Sequence, residues 1–318
     1  MASRRLIISY ICEWLIIIVA AAIALALSSV NPDYHHFSLL DLSISYPHRE
    51  KAKVSLGLFL FLTIVLPIVT IVFVSVYGPR RSTRPDNWKH QQRSLWHVNA
   101  SLLGLGVSLA TSTIIFTGVK NLSGKPRPDF LARCDPDLEQ ITAHTVGGYG
   151  QTISNLWVMV NGGVCKQPDK SFLNDGFRSF PSGYATIAFA GLWYLSLYLA
   201  AIFNVVPPSA TKYLQRRDGV QQNDEAGEPL MQGDERIDDE RSGVDKSAVA
   251  PPAYLLPLPY VPLGLAIFIA GTRYFDFRNH GFDVLAGSAV GTTTAWVGYR
   301  LYHPPLASHL REPWGPRK

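Results

Sequence analysis

Charge is scarce in this chain: only 17% of its 318 residues are Asp, Glu, Lys or Arg, against about 25% in an ordinary soluble domain. Cysteine is scarcer still, and Cys12, Cys134 and Cys165 are too few for a disulfide framework or a metal cluster. The hydrophobic content of 47% is gathered into long runs that carry almost no charge. A soluble cytosolic enzyme, a disordered tail and a secreted disulfide scaffold are all excluded by that pattern. The net charge is +5, but the basic residues lie mostly between apolar runs. Nucleic-acid binding needs them on one folded soluble face, so no nucleic-acid partner is expected. What is there reads as an integral membrane protein.

A helix that crosses the hydrocarbon core needs about 20 apolar residues. Six stretches qualify, at residues 6–29, 54–77, 95–119, 184–206, 253–271 and 282–302. The first begins like a signal peptide, but it is too long and lacks a small-residue cleavage site, so it is read as a retained helix. The fifth is interrupted by Pro257, Pro259 and Pro262, which membrane helices tolerate. The expected fold is therefore all-α, a six-helix transmembrane bundle forming one membrane domain over residues 1–318, with no internal repeat.

Orientation follows from the short loops. Arg80, Arg81, Arg84, Lys89 and Arg93 lie between spans two and three, and Arg4, Arg5, Arg311, Arg317 and Lys318 lie near the ends. By the positive-inside rule these face the cytoplasm. Residues 207–251, rich in Asp, Glu, Gln and Gly with almost no aromatics, read as a disordered cytoplasmic linker. The loop 120–179 then lies in a lumen or outside the cell. It holds Cys134 and Cys165, which either pair in an oxidising compartment or remain two free thiols. Asn121 begins a glycosylation sequon that sits too near the membrane for use.

The same rule predicts few basic residues at outer helix ends, yet Lys120, Arg127, Arg178 and Arg273 all fall there. One reading is headgroup snorkelling or an inverted topology. The other is an anion site, because arginine forks grip phosphate bidentately and lysine adds a point charge. The backbone amides after Pro181-Ser182-Gly183, where span four begins, would complete such a site. At membrane depth, the anion expected is a phosphorylated lipid.

Three motifs carry a resemblance. Lys120, six residues, then Arg127-Pro128 form the first; Phe180-Pro181-Ser182-Gly183 the second; and Thr272-Arg273 through Asp283 the third. In order and placement these resemble the type-2 phosphatidic acid phosphatase superfamily, the lipid phosphate phosphatases, and in particular the fungal diacylglycerol-pyrophosphate and phosphatidate phosphatase branch. The resemblance implies a helical bundle of the phosphatidic acid phosphatase/haloperoxidase type. It also implies a hydrolase of phospholipid metabolism that needs no metal or other cofactor. Lys120, Arg127, Arg273, Ser182 and Gly183 would hold the phosphate. The family's nucleophile is a histidine six residues after the third-motif arginine, oriented by an aspartate that is Asp283 here. Its general acid is a histidine directly after Ser-Gly. An endomembrane (ER, Golgi or vacuole) or the plasma membrane would host the protein, with the pocket on the lumenal or extracellular face.

Both histidines are replaced. The nucleophile position is Asn279, whose amide cannot attack phosphorus but can donate a hydrogen bond to a phosphate oxygen. The acid position is Tyr184, a poorer acid than imidazolium near neutral pH. His280, one residue further on, either takes over as nucleophile or stands behind the site as a supporting histidine; at a helix start it would be turned by about 100° from Asn279. Asp283 would then be a vestige, or would pair with Arg273 or Arg278. Three functions stay open: a lipid phosphate phosphohydrolase with weak or rewired chemistry, a pseudophosphatase that binds phosphorylated lipids, and a lipid transporter.

Overall fold

In the computed structural model the described residues are 4–77, 87–155, 157–203, 205 and 253–306. The expected linker 207–251 lies outside them, as do Arg80, Arg81, Arg84, Arg311, Arg317 and Lys318, and the side chains of Arg4, Arg5, Lys89 and Arg93.

Six long helices run antiparallel. They are α1 (Arg4–Ser28), α2 (Leu56–Tyr77), α3 (Asn87–Ser123), α6 (Gly183–Phe203), α7 (Tyr260–Phe275) and α8 (Gly281–Tyr302). Two short helices, α4 (Phe130–Cys134) and α5 (Lys170–Gly176), lie between α3 and α6. Among the described residues, five helices are long and apolar enough to cross a membrane: Ile8–Ser28, Leu56–Tyr77, Leu95–Ser123, Gly183–Phe203 and Ala253–Phe275. The sixth expected span, α8, has the length at 22 residues, but its glycines and threonines dilute its hydropathy and it is not among the five. The molecule is an integral, multi-pass membrane protein. Its apolar side chains point outward along the bundle, with Ile16, Leu25, Phe73 and Phe268 all exposed, as lipid rather than water requires.

Helix α6 is the centre, with 61% of its apolar window buried, and α1 the periphery, with 6%. Small residues let α8 approach α6: a Cβ at Gly287 would stand 2.5 Å from the Ser182 carbonyl, and one at Gly291 would overlap the Thr186 carbonyl. On its other side α6 carries a π-helical turn at Phe189–Trp193, opposite a second π turn in α2 at Phe61–Val65. Pro67 has no N–H to give the Thr63 carbonyl, and that carbonyl packs directly on Gly191.

Several boundaries differ from the sequence reading. The third span continues as helix through Lys120 to Ser123, so the expected loop begins four residues late. The fifth is only a short 3-10 turn at Ala253–Leu255 before helix proper starts at Tyr260, because the prolines withhold amide donors. Pro262 is accepted in the first turn, where those donors are not needed.

The segment 124–182 is not an open loop. With residues 31–55 it folds as a cap on one end of the bundle. β1 (Thr145–Gly147) pairs antiparallel with β2 (Met159–Val160), in register Thr145 to Val160, and Phe37 bridges to Val160. Phe37, Phe130 and Phe177 form its core, with ring centroids 4.7 and 4.5 Å apart for the two pairs made by Phe130. Cys134 and Cys165 form a disulfide, with Cα atoms 4.6 Å apart. Asn121 is 8% exposed and its Nδ2 donates to the Leu27 carbonyl at 2.5 Å, which removes it as a glycan acceptor.

Candidate functional site

The cap sits where α1, α3 and α7 end and α2, α6 and α8 begin. Lys120 lies in the last turn of α3. Ser123 ties that turn to the second motif, its Oγ donating to the Phe180 carbonyl at 2.8 Å. Gly124, at φ +51°, then turns the chain into Lys125-Pro126-Arg127, against the Asp33 carbonyl. Arg127 is 6% exposed; its amide donates to the Gly176 carbonyl at 2.9 Å and its Nη2 to Asp175 at 2.6 Å. Burial pushes this guanidinium below its ordinary value and Asp175 pulls it back. It remains a cation.

Arg273, also 6% exposed, ends α7. Its guanidinium carbon stands 3.8 Å above the Tyr184 ring, and that ring is stacked on Phe59 at 4.0 Å. Lys120 lies in electrostatic range of Arg127, Arg178, Arg273 and Asp175, and Arg273 in range of Arg127 and Arg278. Arg127 Nε and Arg273 Nε and Nη1 are buried, and among the described residues they have no acceptor. Buried donors of this kind are costly unless something satisfies them. Arg178 belongs elsewhere: its Nη2 donates to the Ser28 and Val30 carbonyls, tying down the end of α1.

The third motif folds back after α7. The amides of Arg278 and Asn279 donate to the Arg273 carbonyl at 3.0 and 3.3 Å. His280 caps α8 in extended conformation, so both residues precede the helix and the 100° step does not apply. Asn279 is a strut. Its Nδ2 donates to the Ser179 carbonyl at 2.5 Å and its Oδ1 accepts from Ser182 Oγ at 3.2 Å, joining motifs two and three. Asp283 pairs with neither Arg273 nor Arg278. Its carboxylate lies 3.1 Å from His280 Nδ1 and accepts from the His280 amide at 3.1 Å, from Lys125 Nζ at 2.8 Å and from Ser179 Oγ at 2.5 Å. The backbone agrees, since the Ser182 amide donates to the Asp283 carbonyl at 3.0 Å.

Several partners escaped the sequence reading. Asp276, fully buried, accepts from the Lys53 amide at 2.9 Å and from Arg49 at 3.4 Å, while Arg278 Nη2 donates to the Arg49 carbonyl at 2.6 Å. The segment before α2 thus clamps the third motif, although no periodic pattern marks it. Lys125 was visible only as another basic residue inside the first motif. Behind Arg127, Asp175 joins Arg133, which joins Asp129. Burial alone would raise the Asp175 carboxyl, but Arg127, Lys120 and Arg133 outweigh it and hold it at about 2. Among the described residues, no group of three or more His, Cys, Asp or Glu side chains is placed to hold a metal ion.

This is a multi-pass membrane protein with a buried guanidinium cluster at one end of its bundle. The chain belongs to the PAP2 superfamily, whose family model matches residues 101–305. It is 30% identical over 210 residues to a protein of Schizosaccharomyces pombe named probable diacylglycerol pyrophosphate phosphatase 1, covering 66% of this chain and 56% of that one. It is 26% identical over 225 residues to lipid phosphate phosphatase 2 of Arabidopsis thaliana, covering 71% and 58%. It is 28% identical over 247 residues to diacylglycerol pyrophosphate phosphatase 1 of Saccharomyces cerevisiae, covering 77% and 63%. The chain thus spans a little over half the length of the first two of these relatives. No solved structure matches it. It is a multi-pass membrane protein of that superfamily.

Proposed function

We propose that this chain is a lipid phosphate phosphohydrolase in which His280 has become the nucleophile. The observation that carries the reading is the contact between His280 Nδ1 and the Asp283 carboxylate. A carboxylate on Nδ1 favours the tautomer that leaves the Nε2 lone pair for attack and stabilises the imidazolium that forms. Lys120, Arg127 and Arg273, with Ser182 Oγ and the Gly183 amide at the start of α6, hold the phosphate. Nε2 bonds to phosphorus, the P–O bond to the lipid breaks, and water then hydrolyses the phosphohistidine. A leaving alkoxide takes its proton from Tyr184 or from solvent. Helix α8 is the sixth span. The capped end faces a lumen or the exterior, with residues 207–251 as a cytoplasmic linker. The substrates are phosphatidate, lysophosphatidate, diacylglycerol pyrophosphate or an isoprenoid diphosphate, and no cofactor is required.

One observation favours a second reading, that of a pseudophosphatase which binds phosphorylated lipids without cleaving them. Asn279, at the family's nucleophile position, is 4% exposed and committed to Ser179 and Ser182. Phosphate release from phosphatidate and diacylglycerol pyrophosphate by purified protein in detergent separates the two. Release that disappears in His280→Ala supports the enzyme. Saturable binding with no release supports the pseudophosphatase.

A further inference from the structure

Asp175 lies outside all three motifs, yet it makes the closest contact to Arg127. Its Oδ1 accepts from Arg127 Nη2 at 2.6 Å and its Oδ2 from Arg133 Nη1 at 3.0 Å. Arg133 is 1% exposed and cannot swing away: its Nε donates to Asp129 Oδ2 at 3.0 Å, and its guanidinium lies 4.7 Å over the Phe172 ring. Asp129, fully buried, is held in turn by His48, whose Nδ1 is 2.7 Å from the same Oδ2. A row of polar contacts therefore runs from His48, in the segment before α2, through Asp129, Arg133 and Asp175 to Arg127. That guanidinium is pinned through Nη2, while its buried Nε has no acceptor among the described residues.

We propose that Asp175 is a positioning residue that aims Arg127 at the bound phosphate, with Arg133 and Asp129 holding Asp175 in place. This rests on the reading of the pocket as a phosphate site. A carboxylate among cations also has the opposite effect, because it cancels charge that would attract an anion. Exposure decides between the two. At 42% exposure the Asp175 carboxylate is shared among water, Arg133 and Arg127, which lessens its cost to an incoming anion, whereas the Arg127 side chain is 7% exposed and takes its orientation from the protein around it. An oriented fork forms two bonds to phosphate at little entropic cost, so losing the clamp outweighs the gain in net positive charge.

The test is equilibrium binding of dioctanoyl phosphatidate to the purified full chain in detergent. Binding in the parent that is weakened but still measurable in Arg127→Ala stands for the site itself; no saturable binding in the parent, or binding unchanged in Arg127→Ala, overturns the phosphate reading and this inference with it. Given binding, Asp175→Asn removes the charge at constant shape and weakens affinity about tenfold, the scale of one charge-assisted hydrogen bond. In the Arg127→Ala background the same change costs less than about twofold, because coupled residues are not additive. Asp175→Glu keeps the charge and regains most of the affinity. Equal or tighter binding in Asp175→Asn, or the same loss in both backgrounds, overturns the proposal. If Asp175→Asn does not fold, Asp175→Glu carries the test, with a two- to threefold loss expected only where Arg127 is present; an equal loss without Arg127 overturns it.

Discussion

His280 Nδ1 stands 3.1 Å from Asp283 Oδ2, and the His280 amide donates to that same oxygen at 3.1 Å. One carboxylate oxygen of Asp283 thus meets both the ring and the backbone of the residue next to Asn279. His280→Ala should therefore abolish phosphate release, by at least about 10³-fold as for other lost nucleophiles. Asn279→Ala should cost far less, through a looser join between motifs. Comparable losses in the two variants, measured as initial rates, would count against His280.

Tyr184 is sandwiched between Phe59 and the Arg273 guanidinium, and phenols in general are poorer acid catalysts than imidazolium. An alkoxide leaving group, with an acid near the pKa of about 15.7 of water, needs a donated proton. A phosphate leaving group, whose second ionisation lies near pH 6, does not. The parent is expected to cleave a diphosphate faster than a monoester, and Tyr184→His to narrow the gap by speeding the monoester. A Tyr184→His enzyme with an unchanged ratio would refute the leaving-group argument.

Lys120→Ala or Arg127→Ala should each weaken phosphatidate binding by about 1.5–3 kcal/mol, the scale of a hydrogen bond to a charged group. Unchanged affinity in both would remove the proposed pocket.

The Asp175 carboxyl is held at about 2, below its ordinary value of 3.8. A group whose folded value is depressed contributes stability that is fully present above its ordinary value and is lost as pH falls through the folded one. The difference in unfolding midpoint between parent and Asp175→Asn should then be constant above about pH 4 and shrink as pH approaches 2. A difference that instead changes between pH 5 and 8 would point to another group.

Gly287 faces the Ser182 carbonyl at a distance no side chain fits. Gly287→Leu should destabilise the bundle by about 1–3 kcal/mol, as overpacking does. It should also weaken phosphatidate binding, because it pushes the start of α8 away from Ser182. A thermal midpoint and an affinity both equal to the parent's would contradict the close packing.

The apolar runs made the helices legible, since a span needs little beyond length and composition. Lys120, Arg127 and Arg273 could be picked out because cations at helix ends expected to face outward break the usual charge bias. What escaped the sequence depends on contacts between distant segments. Nothing local tells that Lys125 and Ser179 will meet Asp283, or that Asp175 will meet Arg133. The cap reads from sequence only as a loop, because its order comes from three phenylalanines and a disulfide rather than from periodicity. Helix α8 shows the reverse problem: glycines that lower its hydropathy are the ones that let it reach α6.

The disulfide follows Arg133 by a single residue, and the chain beyond it is stitched across the same spot: Gln167 Nε2 donates to the Arg133 carbonyl at 3.2 Å and the Gln167 amide to that of Cys134 at 3.3 Å. The brace behind the pocket is thus backed by a covalent bond that forms only by oxidation. A copy kept under reducing conditions would carry the same pocket side chains and span the same bilayer. It would lack the rivet beside Arg133 and begin its working life unfinished.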